Sequence, residues 1–236
     1  MEAREGALRL GGRTVLAVAP GEMTESRARL LQTLWAQCLC AGGSLDLEQD
    51  RALAPHTARI GSCPPMALKA GDSYALQVTP EGASLVGRDA ESLLHALLTL
   101  AQAVDPLCLE AGREAFEIAC MEVRDRPSLG VRGIHLCVFP ETTPLLLEKA
   151  IRMAGFLKMN LVVLEFWGVY PFRCLPELCW AGHAFELSAL RDLLDLARAL
   201  GMEVVPMFNH LGHATQSRGG GGRHAVLDQS PRHALL

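Results

Sequence analysis

Two short runs in the second half of the chain leave few folds open. Residues 161–166 (LVVLEF) and 203–208 (EVVPMF) are almost unbroken in apolar character, and each follows a stretch with helical periodicity, 143–158 and 187–200. Thr143-Pro144 opens the first helix with a capping hydroxyl and a proline whose φ already suits the first turn. Gly201 stands just past the second, where a left-handed residue ends a helix. A further strand is expected at 131–139. Apolar strands alternating with helices predict a parallel sheet buried on both faces. That leaves a (β/α)8 barrel or an open doubly wound sheet. No GxGxxG or GxxxxGK[ST] follows any strand, so nothing supports a nucleotide-binding version.

The first 120 residues read as a separate α+β unit. Strands are expected at 13–19, 57–61, 73–78 and 83–87, the last two joined by the turn Thr79-Pro80-Glu81-Gly82. Helices are expected at 24–40, with Leu30, Leu31, Leu34 and Trp35 on one face, and at 89–104, with Leu93, Leu94, Leu97, Leu98 and Leu100. Together they predict a small sheet covered on one face. Residues 108–129, which hold the polar run MEVRDRP, read as a connector. The domains expected are therefore 1–120 and 121–236.

Composition narrows the function classes. Half the residues are apolar and a fifth charged, which suits a packed chain and not a disordered one. A net charge of −4 argues against a general nucleic-acid binder. No apolar run approaches the ~20 residues of a spanning helix, and the opening MEAREG has no signal-like apolar core. No membrane partner is expected, and a cytoplasmic location is. The eight cysteines, with no CxxC among them, then read as reduced thiols.

In parallel α/β folds the chemistry collects just past the C-terminal ends of the strands. The first strand offers Arg132, His135 and Cys137, the second ends in Glu165-Phe166-Trp167-Gly168-Val169-Tyr170, and the third in Asn209-His210-Leu211-Gly212-His213. An aromatic ring with Arg, His and a carboxylate suits a sugar, the ring covering its apolar face and the polar groups its hydroxyls. A metal-dependent hydrolase using His135, Glu165, His210 and His213 is the rival reading of the same rim.

These segments resemble glycoside hydrolase family 20, the β-N-acetylhexosaminidases. Residues 132–136 (RGIHL) are similar to the family's first barrel strand, RGxHLD, and 150–160 (AIRMAGFLKMN) to its first helix and the entry to strand two. Residues 187–206 (LSALRDLLDLARALGMEVVP) resemble its second helix and third strand, and 209–214 (NHLGHA) its DMPGHA loop. Residues 73–82 and the following helix resemble the non-catalytic domain before the barrel. The likeness runs over roughly 70–215. It implies an exo-glycosidase acting on terminal β-linked N-acetylhexosamine, with Arg132 gripping hydroxyls and His213 as the motif histidine. Glu165, Trp167, Asn209 and His210 are the further substrate-binding residues expected; no cofactor and no metal are.

The departures are specific. Cys137 stands where the family has Asp, Asn209 replaces the Asp of DMPGHA, and Glu165-Phe166-Trp167-Gly168 replaces a Thr-Asp-Asp-x-x-Gly-Trp-like run. The family's substrate-assisted catalysis, an exception to the two-carboxylate scheme, uses an adjacent Asp-Glu pair on strand four. The 236 residues contain no adjacent Asp-Glu, and Asp228 belongs to the loop after strand three. A full barrel takes ~250 residues, so 130–236 suffices for about three βα units. The expectation is an incomplete (β/α)8 barrel, inactive alone, which self-associates through an unpaired barrel edge. A carbohydrate-binding or inert module is the alternative.

Overall fold

The computed structural model describes residues 2–11, 13–35, 44–104, 115–174, 179 and 184–208. They fall into two compact units, Met1–Gly130 and Val131–Leu236.

The first unit contains β1 (Glu2–Gly11), β2 (Arg13–Val18), α1 (Glu25–Leu34), β3 (Ser44–Gln49), β4 (Thr57–Gly61), β5 (Tyr74–Thr79), β6 (Gly82–Gly87), α2 (Ala90–Gln102) and β7 (Ala115–Asp125). Its seven-stranded sheet runs β1-β7-β5-β6-β4-β2-β3. β2 and β3 are parallel and the other neighbours antiparallel. Thr24 and Asp89 cap the two helices, accepting from the amides of Arg27 and Ser92. Both helices share one core with the sheet: Leu31, Trp35, Leu93 and Leu97 pack with Leu16, Ile60, Leu76, Leu85 and Ile118. On the opposite face Ser84 accepts from the amide of Met66 in the 62–73 connection.

The segment read as a connector is β7. It pairs with β1 on one side and β5 on the other, so it belongs to the first sheet. A cut at 120 falls inside this strand, and the units divide after Gly130 instead. Tyr74, fully buried, ties three elements together. Its hydroxyl donates to Asp125 Oδ2 of β7 at 2.8 Å and lies 2.9 Å from Thr99 Oγ1 of α2. The β5–β6 turn forms where expected. Its Glu81 carbonyl accepts from Ser62 and would lie 2.3 Å from a Cβ on Gly61, whose φ is +64°.

The second unit runs β8 (Gly133–Val138), α3 (Pro144–Phe156), β9 (Leu161–Phe166), α4 (Leu187–Ala199) and β10 (Glu203–Met207). The three strands form a parallel sheet in the order β10-β9-β8. Thr143 caps α3 with Pro144 in its first turn, and Gly201 adopts φ +77° after α4, both as the sequence predicts. Leu147, Ile151, Leu193 and Ala197 of the helices and Val138, Val162 and Leu164 of the strands are buried. Burial on both faces is not what the described residues show. Strands added in one direction by crossovers of one hand carry their helices on one side. The other face, with His135, Cys137, Val205 and Met207, is exposed.

Candidate functional site

Register creates the site. β8 and β9 pair with Cys137 opposite Glu165. Side chains alternate along a strand, so His135 and Cys137 share the face on which Glu165 stands. His135 Nε2 lies 2.9 Å from Glu165 Oε2, and Cys137 Sγ donates to the same oxygen at 3.3 Å. The Glu165 side chain is only 8% exposed, against 48% for His135. A carboxylate is thus fixed in the floor, with an imidazole reaching toward solvent above it.

Partial burial pushes the Cys137 thiol up, and the neighbouring Glu165 carboxylate adds to this, while the Trp167 side chain works against it. The thiol is therefore protonated at neutral pH, consistent with its role as donor. Trp167 continues the β8–β9 pairing, its amide donating to the Val138 carbonyl at 2.9 Å. Its ring lies 5.3 Å from that of Phe139, tilted by 37°. One end of the sheet therefore carries a carboxylate, an imidazole, a thiol and an aromatic platform.

The other aromatic residues of the 166–170 run go elsewhere. Phe166 points to the helix face with Leu164 and meets Tyr170 edge-on at 5.2 Å and Phe208 in a stack at 5.5 Å. Phe166 and Tyr170 line a groove of about 720 Å3 between the sheet and α4, together with Leu164, Leu190, Val204, Arg173 and Arg191. This groove is thus on the opposite face from His135, Cys137 and Glu165.

The structure does not bring Arg132 to the site. It precedes β8, and Cys137 lies about 16 Å further along at roughly 3.3 Å per residue. Its Nε donates to the Lys158 carbonyl at 2.6 Å and its amide to Asn160 Oδ1 at 2.8 Å, where α3 passes into β9. Arg132 closes the N-terminal end of the strand pair, so the expectation of a rim position is corrected. Asn209, His210 and His213 lie outside the described residues, as does Asp228. Cys137 gains its place in the cluster from the strand geometry. Its spacing of two from His135 is the signal that places both on one face.

Among the described residues no helix is long and apolar enough to cross a membrane. Residues 1–126 match the family described as glycosyl hydrolase family 20, domain 2. No curated protein matches the chain. Among solved structures, N-acetyl-β-hexosaminidase from Streptomyces plicatus in complex with Thio-NAglucal superposes with a TM-score of 0.69 at 18% identity, over 92% of this chain and 45% of that one. The β-N-acetylhexosaminidase of Bacteroides fragilis gives 0.64 at 20%, over 92% and 44%. The exo β-N-acetylglucosaminidase of Vibrio harveyi in complex with N-acetylglucosamine gives 0.62 at 13%, over 87% and 34%. At these identities the likeness is one of fold, and the chain spans less than half the length of these structures.

Proposed function

The chain belongs to glycosyl hydrolase family 20, and from that membership we propose that it recognises a terminal β-linked N-acetylhexosamine at the C-terminal ends of β8, β9 and β10. In this reading the three strands are the opening βα units of a (β/α)8 barrel. The observation that carries it is the placing of the buried Glu165 carboxylate and Trp167, two residues apart at the end of β9 and both beside Cys137, downstream of the family's domain 2. The indole offers a face for the sugar ring, and Glu165 accepts from its hydroxyls. Asn209, His210 and His213 enter through the resemblance of their loop alone. Arg132 is left out, because its guanidinium serves the opposite end of the strand.

Hydrolysis is a separate matter. Substrate-assisted retaining cleavage calls for an acid that the resemblance places in an Asp-Glu pair, and this sequence has none. The reading is therefore a glycosidase-type sugar site that binds without turning over. β8 and β10 are the edges of the described three-stranded sheet, with Val205 and Met207 exposed, and we assign self-association to them.

Calorimetric titration with N-acetylglucosamine and hydrolysis of a chromogenic N-acetyl-β-glucosaminide test this together. Weak binding without turnover is expected, with Trp167→Ala weakening it roughly 2- to 12-fold, the worth of one aromatic contact. Absence of heat at millimolar sugar refutes the site. Turnover refutes the assignment of binding without an acid.

A further inference from the structure

The face that holds Glu165 has a second chemistry, which does not rest on the carbohydrate reading. Three side chains of different donor type converge there: His135 Nε2, Cys137 Sγ and a carboxylate oxygen of Glu165 all lie within 4.8 Å of one another. We propose that they form a binding site for a thiophilic divalent cation, Zn2+ foremost.

The geometry is close to what the ion needs. Zinc sits at about 2.0–2.1 Å from imidazole nitrogen, about 2.0–2.2 Å from carboxylate oxygen and about 2.3 Å from thiolate sulfur. In a tetrahedron these bonds set ligand atoms about 3.3–3.6 Å apart. The carboxylate oxygen is now 2.9 Å from Nε2 and 3.3 Å from Sγ. Movements of well under an ångström open these two pairs, and the third, Nε2 and Sγ, lies within 4.8 Å and closes by at most about 1.3 Å. Parallel pairing holds Glu165 opposite Cys137, so two ligands come from adjoining strands of a hydrogen-bonded ladder.

Access and donor chemistry agree with this. Glu165 is fixed in the floor, while His135 and Cys137 are exposed, so an ion enters from the solvent side. An N, S, O donor set favours Zn2+ over Mg2+ or Ca2+, which take oxygen ligands. Three protein ligands leave a fourth position for water or a ligand oxygen, the stoichiometry of an open site. Binding balances simply: the ion displaces the proton that Cys137 now donates to Glu165, and that proton leaves to solvent.

Titration of the full chain with Zn2+, and with Co2+ as a spectroscopic stand-in, tests the site. One equivalent is expected, with a thiolate-to-cobalt charge-transfer band in the near ultraviolet. Cys137→Ser abolishes the band. His135→Ala and Glu165→Gln each weaken binding by at least the roughly 10- to 100-fold that outer-shell changes cost. Cys174→Ser, altering an exposed cysteine outside the cluster, leaves band and affinity unchanged. Failure of the unaltered chain to bind either metal overturns the proposal, whatever the variants do. So does a band that survives in Cys137→Ser. Sugar binding measured with a chelator present separates this result from the carbohydrate reading.

Discussion

Replacing Tyr74 by phenylalanine removes one oxygen from the best-buried junction of the first unit. The tyrosine has a single phenolic proton, and it goes to Asp125 Oδ2. Thr99 therefore has to divide its own proton between the Tyr74 oxygen and the His95 carbonyl, 2.8 Å away. In Tyr74→Phe, Thr99 keeps the carbonyl and loses little. Asp125 loses a donor to a charged acceptor, worth about 1.5–3 kcal/mol. The ring stays, so no cavity forms. The variant should unfold in urea with an unchanged slope and a stability lower by that amount. The loss also depends on pH. Burial pushes the Tyr74 hydroxyl far above its usual range, with Asp125 adding to the shift against the lowering effect of Thr99. Above pH about 10 the unfolded chain releases this proton while the native chain retains it, so native stability falls by about 1.4 kcal/mol per pH unit. The phenylalanine of the variant has no proton to release. The advantage of the unaltered chain should therefore shrink by about 1 kcal/mol between pH 10 and 11 and approach that limiting slope beyond. A difference below about 0.5 kcal/mol at neutral pH, or one that does not change above pH 10, refutes the account.

Three other perturbations follow from the packing. Gly61→Ala forces a Cβ to within 2.3 Å of the Glu81 carbonyl at φ +64°; backbone cannot yield as a side chain can, so a loss of about 1–3 kcal/mol is expected in chemical unfolding, and an unchanged midpoint would contradict it. Ile151→Ala empties a fully buried position on α3 and should cost about 2–5 kcal/mol; a loss under about 1 kcal/mol would mean that α3 is not packed as described. The Arg124 guanidinium holds the Glu122 carboxyl below the usual range, and Asp72 is held low by the Lys69 amide and then by Arg124. Their stabilisation is complete above pH about 5 and disappears as the pH falls through the lower native values. In Arg124→Gln, stability should fall less steeply below pH 4, and an identical acid profile would refute the linkage.

The local signals in the sequence were enough for α3, α4, β9 and β10. Thr143-Pro144, Gly201 and the apolar runs act within a few residues, so the elements they specify need no partner to be recognised. The 70–215 resemblance carried the family. β7 was not legible in the same way. Its AFEIACMEVRD reads as a strand only when β1 and β5 supply the ladders on either side, and a linear reading joined it to the polar residues that follow. The site divides along the same line. Glu165 and Trp167 were found from their place at the end of an apolar strand. Arg132 was misplaced because residue type and nearness to the strand do not tell which end of it a side chain serves. His135, Cys137 and Glu165 meet only because β8 and β9 pair with 137 opposite 165. A slip of one residue would turn Glu165 to the opposite face from its partners. Sequence alone determined the capped helices and the apolar strands, because capping and periodicity are local, while β1, β3 and β7 became legible only through the strands they pair with. The tertiary structure decided which side chains stand together, because strand register depends on contacts made far apart in the chain.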